Sequence, residues 1–194
     1  MKKRILALLL ACCLVLLCAC TGQPDTQTTE PVADEATVPV EGEAAGDTPD
    51  FSDVNEMEPD EKGVYQIHSA EGLANMANHP DDKFALLCDV DMAGVQWTPV
   101  GTKDVPFTGS FDGMGFTVSN LTVTPGADGY TGFFGVNNGA VASLKLDNLT
   151  VSADSGFVGT LAGENKGKLD MCSVYSGTMI VGGKEVAGGL VGKA

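Results

Sequence analysis

The sequence predicts an all-β fold: a parallel β-helix, or solenoid, with an N-terminal capping helix, preceded by a disordered tether. Three repeats at one spacing predict it. Ser119-Asn120-Leu121-Thr122-Val123 returns as Asp147-Asn148-Leu149-Thr150-Val151, an offset of 28 residues. The apolar pair Phe116 and Val118 maps by the same 28 onto Leu144 and Leu146, and again onto Cys172 and Val174. Gly135, Asn137 and Gly139 map onto Gly163, Asn165 and Gly167, also at 28, and Gly163 maps onto Gly192 at 29. Glycines at such density break helices, each costing about 1 kcal/mol in a helix interior. A sandwich of hairpins spaces its turns at about 8 to 12 residues, with no longer superperiod. A solenoid fits, because each turn stacks on the last and buries its inward residues in columns. Repeated Gly and Asn suit its corners, which need residues that tolerate left-handed backbone angles.

Residues 1–19 read as an export signal: a basic tip at Lys2-Lys3-Arg4, an apolar run from Ile5 to Leu17, then small residues. The run is too short for a comfortable membrane span. Leu17-Cys18-Ala19-Cys20 resembles the lipobox of bacterial lipoproteins, and the resemblance implies that Cys20 is diacylated and becomes the new N-terminus. Cys12, Cys13 and Cys18 then leave with the signal, so only Cys20, Cys88 and Cys172 remain of six cysteines.

Residues 20–62 are predicted to be an acidic disordered tether. Positions 21–62 hold 13 acids and a single base, Lys62, with five prolines spread among them. Such a stretch buries too little apolar surface to offset its ordering entropy. At about 5 to 6 Å times the square root of its length, it holds a domain some tens of ångströms from a membrane.

The domain is predicted over residues 63–194, incomplete at its C-terminal end, where Lys193-Ala194 stops as a further turn begins. Val64–Ile67 reads as a short strand. Ser69 is a candidate N-cap for a helix over Ala70–Asn78, with Leu73, Met76 and Ala77 on its inner face and Pro80 as its stop. From Phe84 to Met92 apolar residues alternate with others at the two-residue period of a strand, which turns Asp89 and Asp91 outward. The C-terminal end carries no visible cap and reads as a surface for self-association.

Several segments together resemble the GLUG-motif β-helix: Ile67–Ala74, Leu86–Met92, Trp97–Gly101, Phe107–Leu121 and Gly188–Gly192. Such repeats occur in bacterial surface proteins, adhesin-like chains and the non-catalytic regions of immunoglobulin A metallopeptidases. The resemblance covers roughly residues 63–194 and implies a stalk or binding surface.

Charge excludes one class of partner. After Arg4 there is no arginine, and a chain starting at Cys20 keeps eight lysines against 26 acids. Such a field repels phosphate backbones, so nucleic acid is not an expected partner. Catalytic motifs are missing too. The two histidines, His68 and His79, are eleven apart with no HExxH, and there is no G-x-S-x-G elbow. Asp89, Asp91 and Asp112 are candidate carboxylates for glycan cleavage or a structural calcium. Their plainer reading is as outer-face and corner residues, with Asp112-Gly113-Met114-Gly115 an Asx-type corner. The glycines of 109–115 and 182–192 lack a following Gly-Lys-Ser/Thr and read as corners. Trp97 is expected to wedge at the first corner, and Cys88 and Cys172 to be buried free thiols.

The expected function is therefore that of a non-catalytic extracytoplasmic lipoprotein, without cofactor or metal, anchored through Cys20 to a bacterial membrane and presenting a β-helix for adhesion to an extracellular protein or glycan. A glycan-cleaving β-helix using surface carboxylates, and the truncated structural front of a larger adhesin, are the alternatives.

Overall fold

The computed structural model describes residues 50–126, 128–183 and 185–194. The signal, Cys20 and the tether as far as residue 49 lie outside the described residues. The first strand, β1 (Val64–Ile67), leads into α1 (Ala70–Asn75). Ser69 caps that helix: its backbone is extended and its hydroxyl accepts the N–H of Gly72 at 3.1 Å. Beyond Asn75 the helix tightens into a 3-10 turn, Met76–Asn78, ahead of Pro80. Leu73 and Met76 are fully buried, as the pattern predicts, but Ala77 is exposed because the tighter turn rotates it outward.

Four stacked turns follow. The first holds β2 (Lys83–Leu86), β3 (Val90–Asp91) and β4 (Gln96–Trp97). The single strand expected over 84–92 is therefore two, because a corner between Leu86 and Val90 intervenes while Phe84, Leu86, Val90 and Met92 all still face inward. The second turn runs through β5 (Ser110–Asp112), β6 (Thr117–Ser119), β7 (Thr122–Val123), β8 (Tyr130–Thr131) and β9 (Phe134–Asn137). The third runs through β10 (Ala140–Ala142), β11 (Lys145–Asp147), β12 (Leu149–Ala153), β13 (Gly156–Gly159) and β14 (Ala162–Asn165). The fourth holds β15 (Lys168–Asp170), β16 (Ser173–Val174), β17 (Gly177–Val181), β18 (Glu185–Gly188) and β19 (Val191–Lys193).

Corresponding strands pair in parallel to make five sheets, ordered β1-β2-β5-β10-β15, β3-β6-β11-β16, β4-β7-β12-β17, β8-β13-β18 and β9-β14-β19. We call these the first to fifth sheets. In the second sheet Val118 pairs with Leu146 and Leu146 with Val174, which is the 28-residue register read from the sequence. In the third, Trp97 pairs with Val123, Val123 with Val151, and Val151 with Met179. Each inward valine or leucine removed from water contributes roughly 1.5–3 kcal/mol, so the columns hold the turns in place.

Corners and close approaches divide the repeated glycines and asparagines into two kinds. Gly115, Ser143 and Met171, each 28 apart, take φ of 81°, 52° and 50° and stack as left-handed corners, as do Asn120 and Asn148 at 58° and 50°. Gly135, Gly163 and Gly192 are instead inside strands of the fifth sheet and correct the expectation that they are corners. Gly163 and Gly192 are glycine because the fourth and fifth sheets meet backbone to backbone, and Gly135 because the Gly101 carbonyl lies against it. A Cβ on Gly163 would lie 2.7 Å from the Thr131 nitrogen, and one on Gly192 would lie 2.6 Å from that of Val158.

Residues 50–62 pack onto this N-terminal end. The Glu56 carboxylate accepts the N–H groups of His68 and Ser69 at 2.5 and 2.7 Å and the Ser69 hydroxyl, directly beside Gly72. Phe51 stacks on His68, with ring centroids 4.7 Å apart. Asp60 accepts from Val64 and Gln66, and the Val64 N–H foremost holds its carboxyl below the usual value. Ordered contacts thus begin ahead of Gly63.

Candidate functional site

Cys20, the predicted lipidation site, lies outside the described residues. The candidate carboxylates of the solenoid are engaged in holding its corners. Asp89 accepts the N–H of Thr117 at 2.7 Å, one turn on. Asp91 accepts the N–H of Ala93 at 2.9 Å and the Asn120 amide at 2.7 Å, and Asn148 in turn donates to Asn120 at 2.6 Å. Asp147 continues this polar column, accepting the Ser176 hydroxyl at 2.6 Å. Asp112 accepts the Met114 N–H at 2.9 Å, the expected Asx corner. The Asn120 amide foremost, then the Ala93 N–H, hold the Asp91 carboxyl below its ordinary value, whereas a general acid at a glycosidic bond needs a raised one.

The remaining sequence candidates are structural in their contacts. The two histidines are engaged separately: His68 on Phe51 and Glu56, His79 between the Tyr65 hydroxyl and Asp82 at 3.2 Å each. Among the described residues no three His, Cys, Asp or Glu side chains converge as a metal set. Trp97 is wedged inside, 2% exposed, with its indole donating to the Phe133 carbonyl at 2.8 Å and its ring stacked on Phe133. Cys88 and Cys172 are free thiols. They are half-buried rather than buried, because the column they share with Phe116 and Leu144 lies beside a corner, where Leu144 alone is fully covered. Burial pushes both thiols up, which leaves them poor nucleophiles.

Two surfaces remain: the outer face of the third sheet, which sequence reasoning did not single out, and the C-terminal end, which it read as a surface for self-association. On the third sheet the outward positions form two columns across the turns: Gln96, Thr122, Thr150 and Thr178 in one, Thr98, Thr124, Ser152 and Ile180 in the other. All are half-buried or exposed and none is charged, in a chain whose formal charge is -15. Thr124 bonds the Trp97 carbonyl at 2.9 Å. The signal was present in the repeat itself, since Thr122 and Thr150 belong to the two copies that set the period.

The second surface is the end of the fourth turn. Among the described residues its strands pair on one side only, and Val174, Tyr175, Met179 and Leu190 line an open groove of about 530 Å³. Glu164, buried beneath Lys193 and Lys166 at 2.7 and 3.1 Å, ties the third and fourth turns together. Lys193 foremost draws the Glu164 carboxyl below its ordinary value.

No family model matches the chain, and no solved structure does. Two relatives give the likeness. One, from Evansella cellulosilytica, bears the name "Putative Gly-rich membrane protein" and is 33% identical over 125 residues, 58% of this chain. The other, halomucin of Haloquadratum walsbyi, is 28% identical over 144 residues, 66% of this chain. The chain spans 14% of the length of the first and 2% of the second.

Proposed function

We propose that this chain is a non-catalytic extracytoplasmic lipoprotein of the GLUG-motif kind, held to a bacterial membrane through lipid on Cys20 and presenting its β-helix to a ligand outside the cell. The observation that carries the presenting role is the outward face of the third sheet: two regular, uncharged columns, half-buried or exposed, that run across four turns. The anchoring role rests on Leu17-Cys18-Ala19-Cys20 after an uncharged apolar run, and one relative carries the word membrane in its name. Repeat solenoids offer long, regular surfaces suited to extended ligands. The apolar end of the fourth turn is where we place self-association, read out as concentration-dependent sedimentation.

Cys20→Ala tests the anchor. The variant is expected in the medium or uncut, while the wild type enters the detergent phase. Wild-type partition by the variant would contradict the reading. A second reading, the front of a longer adhesin, is favoured by the small share of each relative that the chain spans. Sequencing beyond codon 194 decides it.

A further inference from the structure

Most polar side chains on the outer surface of the second sheet and its corners serve the solenoid itself. Asp89, Asp91 and Asp147 accept from neighbouring turns, and Asn120 and Asn148 bond each other. The third sheet differs. Among the described residues no side-chain partner engages the hydroxyls of Thr122, Thr150, Ser152 or Thr178, which lie on half-buried or exposed residues and can both donate and accept. The first and second sheets place Asp112, Lys168 and Asp170, and Lys145 and Asp147, at their outward positions, whereas the third sheet places no charge there.

We infer that this face binds a neutral, extended polysaccharide lying across the turns, which deepens, and rests on, the reading of the solenoid as a presented surface. The absence of charge selects the partner first. A polyanion would meet repulsion from the acidic chain around it, and a polycation would find its partners on the second sheet and its corners rather than here. Hydroxyls that donate and accept match a ligand whose own groups are hydroxyls. Spacing selects its form. Successive strands lie about 4.8 Å apart, close to the advance of one pyranose residue in an extended β-linked chain. The second and third turns therefore offer successive sugars matched residues, Thr122 with Thr124 and Thr150 with Ser152, and the column of Gln96, Thr122, Thr150 and Thr178 is polar through all four turns. The 28-residue period keeps these pairs in straight columns. Parallel strands with inward Val123 and Val151 hold the columns rigid, so little ordering cost falls on the protein when it binds.

The test is calorimetric titration of the full chain, in a detergent without a sugar headgroup, with cellohexaose and separately with polygalacturonate. Cellohexaose is expected to bind and polygalacturonate not. Thr122→Val combined with Thr150→Val keeps a β-branched shape and removes two hydroxyls, and is expected to weaken cellohexaose binding about tenfold or more. Thr117→Val, on the second sheet, is expected to leave it unchanged, and thermal unfolding confirms that each variant is folded. Absence of cellohexaose binding by the wild type, equal binding of polygalacturonate, or an undiminished affinity in the double variant would each overturn the proposal. No membrane enters this measurement, so a failed anchor at Cys20 and a failed glycan site give separate results.

Discussion

The third and fourth turns of the solenoid carry residues of like kind at matched positions, yet only one of them is a core. Leu146, Val151 and Leu161 of the third turn are at most 1% exposed, whereas Val174 and Met179 of the fourth are half-buried and Leu190 is 43% exposed. The registers that join them are continuous. Inward direction is thus set by a residue's own position in the repeat, and, away from the corners, burial by whether another turn lies above it. In a stack where each turn touches only its neighbours, stability is a sum of such interfaces.

The largest effect that would break this comparison comes from a charge in a covered column. Leu144→Asp, in the third turn, is expected to cost ~4 kcal/mol, because an unpaired carboxylate would be sealed between turns. Cys172→Asp, the matching change in the fourth turn, should cost less, since water reaches that position. Lys145→Asp, one residue along and facing out, should stay within about 0.5 kcal/mol. Denaturant midpoints check all three, and equal losses would show the inward assignment to be wrong.

The glycines of the fifth sheet sharpen the comparison at smaller scale. Gly163→Ala sets a methyl group 2.7 Å from the Thr131 nitrogen in the covered third turn, and overpacking there should cost about 1–3 kcal/mol. Gly192→Ala makes a contact as close, 2.6 Å from the Val158 nitrogen, but on a turn that, among the described residues, pairs with one neighbour instead of two. Its melting temperature should fall less.

A smaller effect is expected from acid. The Glu164 carboxyl is held below its ordinary 4.5 by Lys193 first and Lys166 after it. A carboxyl lowered on folding contributes stability that is present above its unfolded value and lost as pH falls through the lowered one. As pH falls below that ordinary value, the amides of β19 should therefore lose protection before those of β12. In Glu164→Gln that acid sensitivity should disappear, and its persistence would assign it to another group.

How much of this was legible in the sequence follows from which forces leave a periodic trace. The 28-residue register of Val118, Leu146 and Val174 was readable because hydrophobic burial repeats wherever turns stack. Ser69 as N-cap was readable from local backbone chemistry. Glycine is ambiguous in sequence, since one letter serves both a left-handed corner such as Gly115 and a backbone approach such as Gly163, and only the facing sheet separates them. The corner between Leu86 and Val90 was hidden because alternation continued through it. Glu56 was illegible because its partners His68 and Ser69 are contacted across a change of direction, within a segment whose acid content reads as solvated chain. The outward threonines were visible but carried no message until the charged outer positions of the first and second sheets could be compared with them.

The most direct test of burial by the turn above is native-state hydrogen exchange at a concentration where the chain is monomeric. The compared amides are those of Leu149–Ala153 in the third turn and Gly177–Val181 in the fourth, which pair with each other residue for residue. The account predicts that the third-turn amides exchange at least about tenfold more slowly. Equal protection of the two strands would contradict it.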